Sequence, residues 1–157
     1  MTHRHIYKKP KPGDVYKFCS CGKRRKVFVK PSKKKLRNEC DAAWSRVTKL
    51  LSERKNGRKC LWCGGSSNLQ SDHIINRGHT ATRWVPDNCI VLCRTCHLFK
   101  KKREPNEWME VVKAHVPSET YEALRLAGRQ IVKNPDYGGI LYGLKALESS
   151  LINGDQK

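Results

Sequence analysis

Two pairs of cysteines restrict the fold of this chain more than any other feature of its sequence. Cys60 and Cys63 form one C-x-x-C pair, and Cys93 and Cys96 form a second pair further along the chain. Such a pair places two thiolates on one tight turn, and two pairs supply the four sulfur ligands of a tetrahedral zinc site. Because four thiolates close the coordination sphere to water and substrate, we predict one structural zinc ion rather than a catalytic one.

The composition explains why a bound metal would matter. Only 38% of the 157 residues are hydrophobic and the mean hydropathy is −0.72, which is low for a single core of this length. A metal ion that closes the long loop between the two cysteine pairs would stabilise such a chain. The remaining cysteines, Cys19, Cys21, Cys40 and Cys89, lack this spacing, and we predict no second zinc site from them.

The charge of the chain predicts a nucleic-acid partner. Lys and Arg number 33 against 14 Asp and Glu, which gives a formal net charge of +19. Such an excess repels itself unless a polyanion is present, and the basic residues also cluster beside the cysteine pairs. The alternative is a basic tail that serves only solubility.

Membrane and secreted proteins are both disfavoured by the sequence. No apolar stretch approaches the ~20 residues that a membrane-spanning helix needs. The segment from Met1 to Pro12 is polar and basic, and it has no apolar core of the kind found in secretory signals. We therefore expect a cytoplasmic protein with no membrane partner, in which disulfides are disfavoured.

Charge and hydrophobic periodicity divide the chain into three regions. Residues 1–35 are predicted to form a basic N-terminal arm, with a turn at Cys19–Gly22 and a short strand at Val27–Val29. Residues 36–103 are predicted to form the core, and residues 104–157 a helical C-terminal extension.

The core region predicts an α+β fold. Apolar residues recur at helical spacing from Leu36 to Lys55, and Asn56-Gly57 is expected to end that helix. Two strand candidates, Leu69–Ile75 and Cys89–Leu92, flank a glycine-containing loop. The second cysteine pair then opens a helix from Arg94 to Lys101. The resulting order is strand, loop, strand, helix.

The C-terminal region is predicted to be helical throughout. A helix from Pro105 to Val116 begins with proline in its first turn. Ser118 is predicted to be the N-cap of the next helix, which Gly128 closes. We expect a loop at Tyr137–Gly139 and a last helix from Ile140 to Ile152.

Polar residues with chemical potential stand next to the cysteine pairs, in the order D-H, N and H. They are Asp72, His73, Asn88 and His97. Together with Cys60-x-x-Cys63-Gly64, Arg77, Thr82-Arg83-Trp84 and the run from Leu92 to His97, they resemble the four-cysteine branch of the HNH endonucleases. Among these, the chain is similar to the NinG/Rap-like recombination nucleases of lambdoid phages. The resemblance extends from about Cys40 to Leu126, somewhat over half of the chain.

The resemblance implies a small ββα-metal core held by the four-cysteine zinc, and a hydrolase that cuts DNA. His73 would be the general base, because a neutral imidazole can accept a proton from water near neutral pH. Asp72 and His97 would bind one catalytic Mg²⁺ or Mn²⁺ ion through oxygen and nitrogen. Asn88 would fix the loop that carries His73, through bonds from its side chain to the backbone.

Four basic residues near these motifs are candidates for contact with the nucleic-acid backbone. Arg77 and Arg83 lie in the loop between the strand candidates, and a guanidinium can pair with two phosphate oxygens at once. Lys100 and Lys101 continue from the helix of the second cysteine pair, although a charge run is commonly a solvated helix end.

Two other functions stay open at this level. One is a zinc-containing nucleic-acid-binding protein without catalysis, and the other is a phage protein that binds host machinery through residues 104–157. The joint presence of Asp72, His73 and His97 favours the nuclease. The resemblance implies the cytoplasm of a phage-infected bacterium and a role in recombination or repair, with branched DNA as one substrate. The sequence leaves the DNA substrate and the oligomeric state open, with a homodimer as one alternative.

Overall fold

The protein is described by a computed structural model that covers residue 6, residues 16–26 and residues 31–154. It divides into two compact units, residues 1–33 and residues 34–157. In the first unit, strands β1 (Tyr16–Phe18) and β2 (Arg24–Lys26) pair antiparallel. The turn predicted between them is confirmed, because Gly22 donates its N–H to the carbonyl of Cys19 at 2.9 Å. The strand predicted at Val27–Val29 lies outside the described residues.

Helix α1 (Lys33–Asn56) confirms the first predicted helix and begins three residues earlier than expected. Gly57 follows with φ +75°, a left-handed conformation that glycine adopts without steric cost and that ends the helix. The helix buries one face, and its largest buried side chain is Trp44. This face forms one hydrophobic core with Trp84 and with leucines of the last helix.

A two-stranded antiparallel sheet follows, as the sequence predicted. Strand β3 (Leu69–Asp72) pairs with β4 (Ile90–Cys93), with Leu69 opposite Cys93 and Asp72 opposite Ile90. The chain then turns through a π-helical segment (Cys96–Lys100) into the short helix α2 (Lys101–Arg103). The predicted order of strand, loop, strand and helix is therefore confirmed, and β3 ends three residues earlier than expected.

Three helices complete the second unit: α3 (Pro105–His115), α4 (Ser118–Ala127) and α5 (Tyr137–Asn153). The prediction that Ser118 caps α4 is wrong. Pro117 occupies the cap position and makes no side-chain cap bond, while the Ser118 hydroxyl is 3.3 Å from the carboxylate of Glu119. Gly128 closes α4 as predicted.

The loop predicted at Tyr137–Gly139 is also wrong, because these residues form the first turn of α5. Asp136 Oδ1 accepts the backbone N–H groups of Gly138 and Gly139 at 3.1 Å each. This N-cap satisfies two otherwise unpaired donors and offsets the low helix propensity of the two glycines.

A second hydrophobic core lies under the sheet and brings α3 against β4. Its buried members are Cys60, Ile90, Leu92, Cys96, Trp108 and Val112. Helices and a small antiparallel sheet together give the α+β class that the sequence predicted. Within the described part of the chain, no helix is both long enough and apolar enough to cross a bilayer.

Candidate functional site

Four cysteine side chains converge where the two C-x-x-C turns meet. The Sγ atoms of Cys60, Cys63, Cys93 and Cys96 all lie within 4.8 Å of one another. Those of Cys63 and Cys93 are 3.7 Å apart. Neighbouring sulfurs in a tetrahedral site with Zn–S bonds of about 2.3 Å are about 3.8 Å apart. The cluster is therefore positioned to bind one metal ion, as the spacing predicted.

The environment of this cluster favours thiolates at some positions and thiols at others. Burial favours the neutral thiol of Cys60, but backbone N–H groups of Trp62, Cys63 and Cys93 outweigh it and lower the pKa of Cys60 to about 7. At Cys96, burial and then the neighbouring thiols raise the pKa above its usual range. Four adjacent thiolates therefore need a cation between them, which fits a metal site.

A second group of functional side chains lines an open cleft of about 660 Å³. They come from α1, from the end of β3 and the loop after it, and from the segment after the second cysteine pair. Those with polar or aromatic side chains include Asp41, Trp44, Asp72, His73, Arg77, Arg83, His97 and Lys101. Because β3 ends at Asp72, strand alternation does not apply to His73, and both side chains reach the same cleft.

The imidazole of His73 is held in one tautomer. Its Nε2 lies 2.9 Å from the backbone carbonyl oxygen of Arg83. A carbonyl oxygen only accepts, so Nε2 carries the hydrogen and Nδ1 keeps a lone pair. The ring also stacks on Trp44, with ring centroids 4.0 Å apart and planes inclined by 12°. Burial lowers the pKa of His73 and outweighs the Arg83 carbonyl and the charge of Asp72, which favours the neutral ring.

Asp41 of helix α1 fixes Arg83, and the backbone carbonyl of Arg83 orients His73. Arg83 donates from Nε and Nη2 to the two carboxylate oxygens of Asp41 at 2.9 and 2.7 Å. Trp84 Nε1 also donates to Asp41, at 2.8 Å. Burial would raise the pKa of Asp41, but the hydrogen bonds from Arg83 and Trp84 lower it overall. The guanidinium of Arg83, expected to contact phosphate, is thus engaged by Asp41.

Asp72 and His97 meet across the cleft. Asp72 Oδ1 and His97 Nε2 are 3.3 Å apart, close to the separation of about 3.0 Å between adjacent ligands of an octahedral ion with bonds of about 2.1 Å. On the other side of the ring, His97 Nδ1 donates to Gln70 Oε1 at 2.7 Å. This bond leaves the Nε2 lone pair available to a metal. The two side chains therefore fit a divalent ion.

Lys101 and Lys100, both expected to contact DNA, have different surroundings. Lys101 Nζ lies 2.6 Å from Asp72 Oδ2 and 3.3 Å from the carbonyl of His73, above the ring of Trp108. Lys100 is 3.2 Å from both Glu104 and Glu107. Lys101 thus belongs to the cleft, whereas the ammonium of Lys100 is partly neutralised by two carboxylates.

Asn88 is fully buried beneath the loop that follows β3. Its Oδ1 accepts the N–H of Ile75 at 2.7 Å, and its Nδ2 donates to the carbonyls of Ile75 and Thr82 at 2.9 and 3.0 Å. These are the side-chain to backbone bonds that the sequence analysis expected. Arg77, by contrast, is exposed at the edge of the cleft and forms no ion pair with a described residue.

Three residues of the site were not predicted from the sequence: Asp41 and Trp44, which line the cleft, and Gln70, which holds His97. Gln70 precedes Asp72 by two positions, so it lies on the same face of β3, and this alternation was the available signal. Trp44 fits the helical spacing of apolar residues in α1, which indicates a core residue, and it lies in the core as well as at the cleft. Asp41 carried no local signal, because its partners Arg83 and Trp84 are distant in sequence.

Comparison with known proteins agrees with this geometry in one segment of the chain. Residues 58–103 match the model of the HNH endonuclease family. No curated protein and no solved structure matched the chain. The matched segment contains both C-x-x-C pairs, the sheet, and Asp72, His73, Asn88 and His97. It does not include α1, which contributes Asp41 and Trp44 to the cleft.

Proposed function

We propose that this protein is a divalent-metal-dependent HNH endonuclease that hydrolyses phosphodiester bonds in DNA. One observation carries the proposal. His73 has Nδ1 as its proton acceptor and shares a cleft with the adjacent ligands Asp72 and His97. The family match over residues 58–103 supports the class of reaction. The formal charge of +19 supports a nucleic-acid substrate.

In the proposed reaction, His73 acts as the general base. Its Nδ1 removes a proton from a water molecule, and the Arg83 carbonyl stabilises the resulting imidazolium through the Nε2–H bond. The water oxygen then forms a bond to phosphorus while the bond to the 3′ oxygen breaks. Because Asp41 fixes Arg83, we interpret Arg83 as a residue that positions the base rather than as a phosphate contact.

Asp72 Oδ1 and His97 Nε2 would hold the catalytic Mg²⁺ or Mn²⁺ ion. When bound, such an ion neutralises charge on the scissile phosphate and stabilises the leaving oxygen. Lys101 engages Asp72 Oδ2 and so keeps Oδ1 turned towards His97. Arg77 is exposed at the edge of the cleft and is the arginine we assign to a neighbouring phosphate.

The four-cysteine cluster would hold a structural zinc ion, because its ligand set is closed and its sulfur spacing suits zinc. We place the enzyme in recombination or repair of phage DNA, in the cytoplasm of an infected bacterium. The support for this setting is the similarity of its motifs to those of the NinG/Rap-like nucleases.

A cleavage panel tests the proposal. Linear duplex, nicked duplex, single-stranded and four-way-junction DNA are incubated with zinc-loaded protein, with and without Mg²⁺ or Mn²⁺. We expect cleavage only with the added divalent ion, and at least about 100-fold slower cleavage by His73→Ala. If folded wild-type protein binds these DNAs but cuts none of them with either ion, the protein is a binding module and the nuclease proposal is wrong.

A further inference from the structure

A second concave site opens along α1 and β3, on the faces that line the candidate active site. We call it the basic pocket, and its volume is about 390 Å³. Three cations line it, together with three neutral polar side chains and one carboxylate: Lys49, Arg58, Lys59, Ser52, Ser66, Asn68 and Glu53. With three positive charges and one negative charge, the pocket favours an anion.

The cations of the basic pocket are available to a ligand. Within the described part of the chain, none of the three cations forms an ion pair; they are Lys49, Arg58 and Lys59. By contrast, Arg83 and Lys101 in the neighbouring cleft are both engaged by carboxylates. The hydroxyl oxygen of Ser52, which also lines the basic pocket, is buried and has no hydrogen-bond partner among the described residues. Cations and hydroxyl donors together suit the oxygens of a phosphate group.

The basic pocket and the cleft lie along the same two elements, α1 and β3. Ser45 lines the cleft and Lys49 lines the basic pocket, one helical turn further along the same face of α1. On β3, Ser71 lines the cleft and Leu69 lines the pocket, two residues apart on one face. From Asp41 to Lys49, the helix advances about 12 Å at 1.5 Å per residue. Along the axis of a DNA duplex each strand advances about 3.4 Å per nucleotide, so this distance spans about three or four nucleotides.

We propose that the basic pocket binds backbone phosphates of the DNA strand that is cut, three or four nucleotides from the scissile bond. The identity of that strand rests on the proposed nuclease function. The binding itself depends only on Lys49, Arg58 and Lys59, and it carries no sequence information because its contacts are to phosphate. Lys49 lies on α1, outside the segment that matches the HNH family.

Salt-dependent binding tests the proposal without cleavage. In a His73→Ala background, binding of a fluorescent linear duplex is measured by anisotropy from low to moderate salt. The triple variant Lys49→Gln/Arg58→Gln/Lys59→Gln should flatten the slope of log affinity against log salt by about 2 to 3, since each phosphate contact contributes about 0.9. Its affinity at moderate salt should fall by about 10- to 100-fold.

A matched triple variant controls for net charge. Arg129→Gln/Lys133→Gln/Lys145→Gln removes the same charge from exposed residues that line neither the cleft nor the basic pocket. We expect its slope to change by less than about 1. Equal changes in the two triple variants would overturn the proposal, because charge alone would then explain the loss. If the pocket variant melts at a lower temperature, Lys49→Gln alone should still flatten the slope by about 0.9.

A truncation series then tests the position of the basic pocket on the strand. Duplexes with one cleavage site are shortened from either side. Wild-type affinity should drop when the phosphates three and four nucleotides from the scissile bond are removed on one side, and the affinity of the pocket variant should not. Equal drops in both proteins would contradict the assigned position. Failure to cleave any substrate would count against the nuclease proposal, while the salt slopes would still decide whether the pocket binds DNA.

Discussion

The two metal-binding candidates of this protein lie close together in the chain but differ in almost every physical respect. The cysteine cluster has four sulfurs within 4.8 Å of one another, which are enough to fill the coordination shell of a tetrahedral ion. The cleft has one carboxylate oxygen and one imidazole nitrogen 3.3 Å apart, and it is open to solvent. Cys96 and His97 are adjacent residues, yet each belongs to a different cluster. A closed soft-ligand site supports the fold, while an open site with harder ligands leaves positions for water and phosphate.

This contrast predicts that substitutions in the two clusters have different effects. Loss of a ligand of the cysteine cluster should lower the stability of the fold, and the activities that depend on the fold should be lost with it. Loss of a residue of the cleft should lower the cleavage activity while the fold persists.

Removal of one zinc ligand should have the largest effect. In Cys60→Ser, we expect zinc content to fall from about one ion per chain and the free energy of unfolding to drop by about 5 kcal/mol or more, because metal binding and folding are coupled. Elemental analysis and a thermal melt measure both. Cys21→Ser, which alters an exposed cysteine outside the cluster, serves as the control. A Cys60→Ser protein as stable as the parent would show that the cluster does not support the fold.

Removal of the general base should abolish most activity and spare the fold. His73→Ala should lower the rate of cleavage by about 10²–10⁴-fold. Its free energy of unfolding should fall by only about 1 kcal/mol, through the lost stacking on Trp44. His115→Ala is the matched control, because His115 also contacts a backbone carbonyl but does not line the cleft. Wild-type rates in His73→Ala would refute the assignment.

The two ligands of the catalytic ion should behave as a unit. Asp72→Ala and His97→Ala should each weaken Mn²⁺ binding at least about tenfold, measured by calorimetry on zinc-loaded protein. The double variant should be little worse than either single variant, because groups that act together are not additive. Zinc content should stay unchanged in all three proteins. Losses that multiply would mean that the two residues do not share one ion.

Substitutions of the two arginines of the cleft, Arg77 and Arg83, should have different effects on the kinetics of cleavage. Arg83→Ala should lower kcat by about 10- to 100-fold and leave the salt dependence of DNA binding unchanged, since the Arg83 side chain, held by Asp41, positions the backbone carbonyl that orients His73. Asp41→Asn should reproduce this loss, and the double variant should add little to it. Arg77→Ala should raise KM and flatten the salt slope by about 0.9. A flattened salt slope in Arg83→Ala would mean that Arg83 contacts phosphate.

The pH dependence of cleavage gives the smallest expected effect. In the proposed reaction the neutral form of His73 is the active one, and burial lowers the pKa of His73, so the neutral form persists below the ordinary value of about 6.5. Activity should therefore exceed half of its plateau at pH 6.5 and decline at lower pH. The rates are measured at two saturating Mn²⁺ concentrations to exclude loss of metal. A midpoint above 6.5 under these conditions would contradict the lowered pKa of the base.

Patterns local in sequence were enough to predict the cysteine cluster and the order of the core elements. Two C-x-x-C turns have one common use, and both the helical spacing of apolar residues in α1 and the continuous apolar run of β4 were clear. The first turn of α5 was missed because the cap on Asp136 outweighs the weak helix propensity of Gly138 and Gly139. The hydrogen bonds that orient His73 were not predicted, because Asp41, Arg83 and His73 are apart in the sequence and come together only in the folded chain.

The π-helical segment has a consequence for how this chain can change in length. Lys101 donates its N–H to the carbonyl of Cys96, a turn that contains one residue more than an α-helical turn. Deleting Leu98 or Phe99 would restore an α-helix and would leave Cys96 and His97 upstream of the change. A π-helical turn of five residues and an α-helical turn of four residues each complete about one turn, so the elements downstream would keep nearly the same orientation. Lys101 would stay beside Asp72 and Trp108 would stay in the core, so the extra residue is a local bulge and the chain can lose one residue here without losing the site.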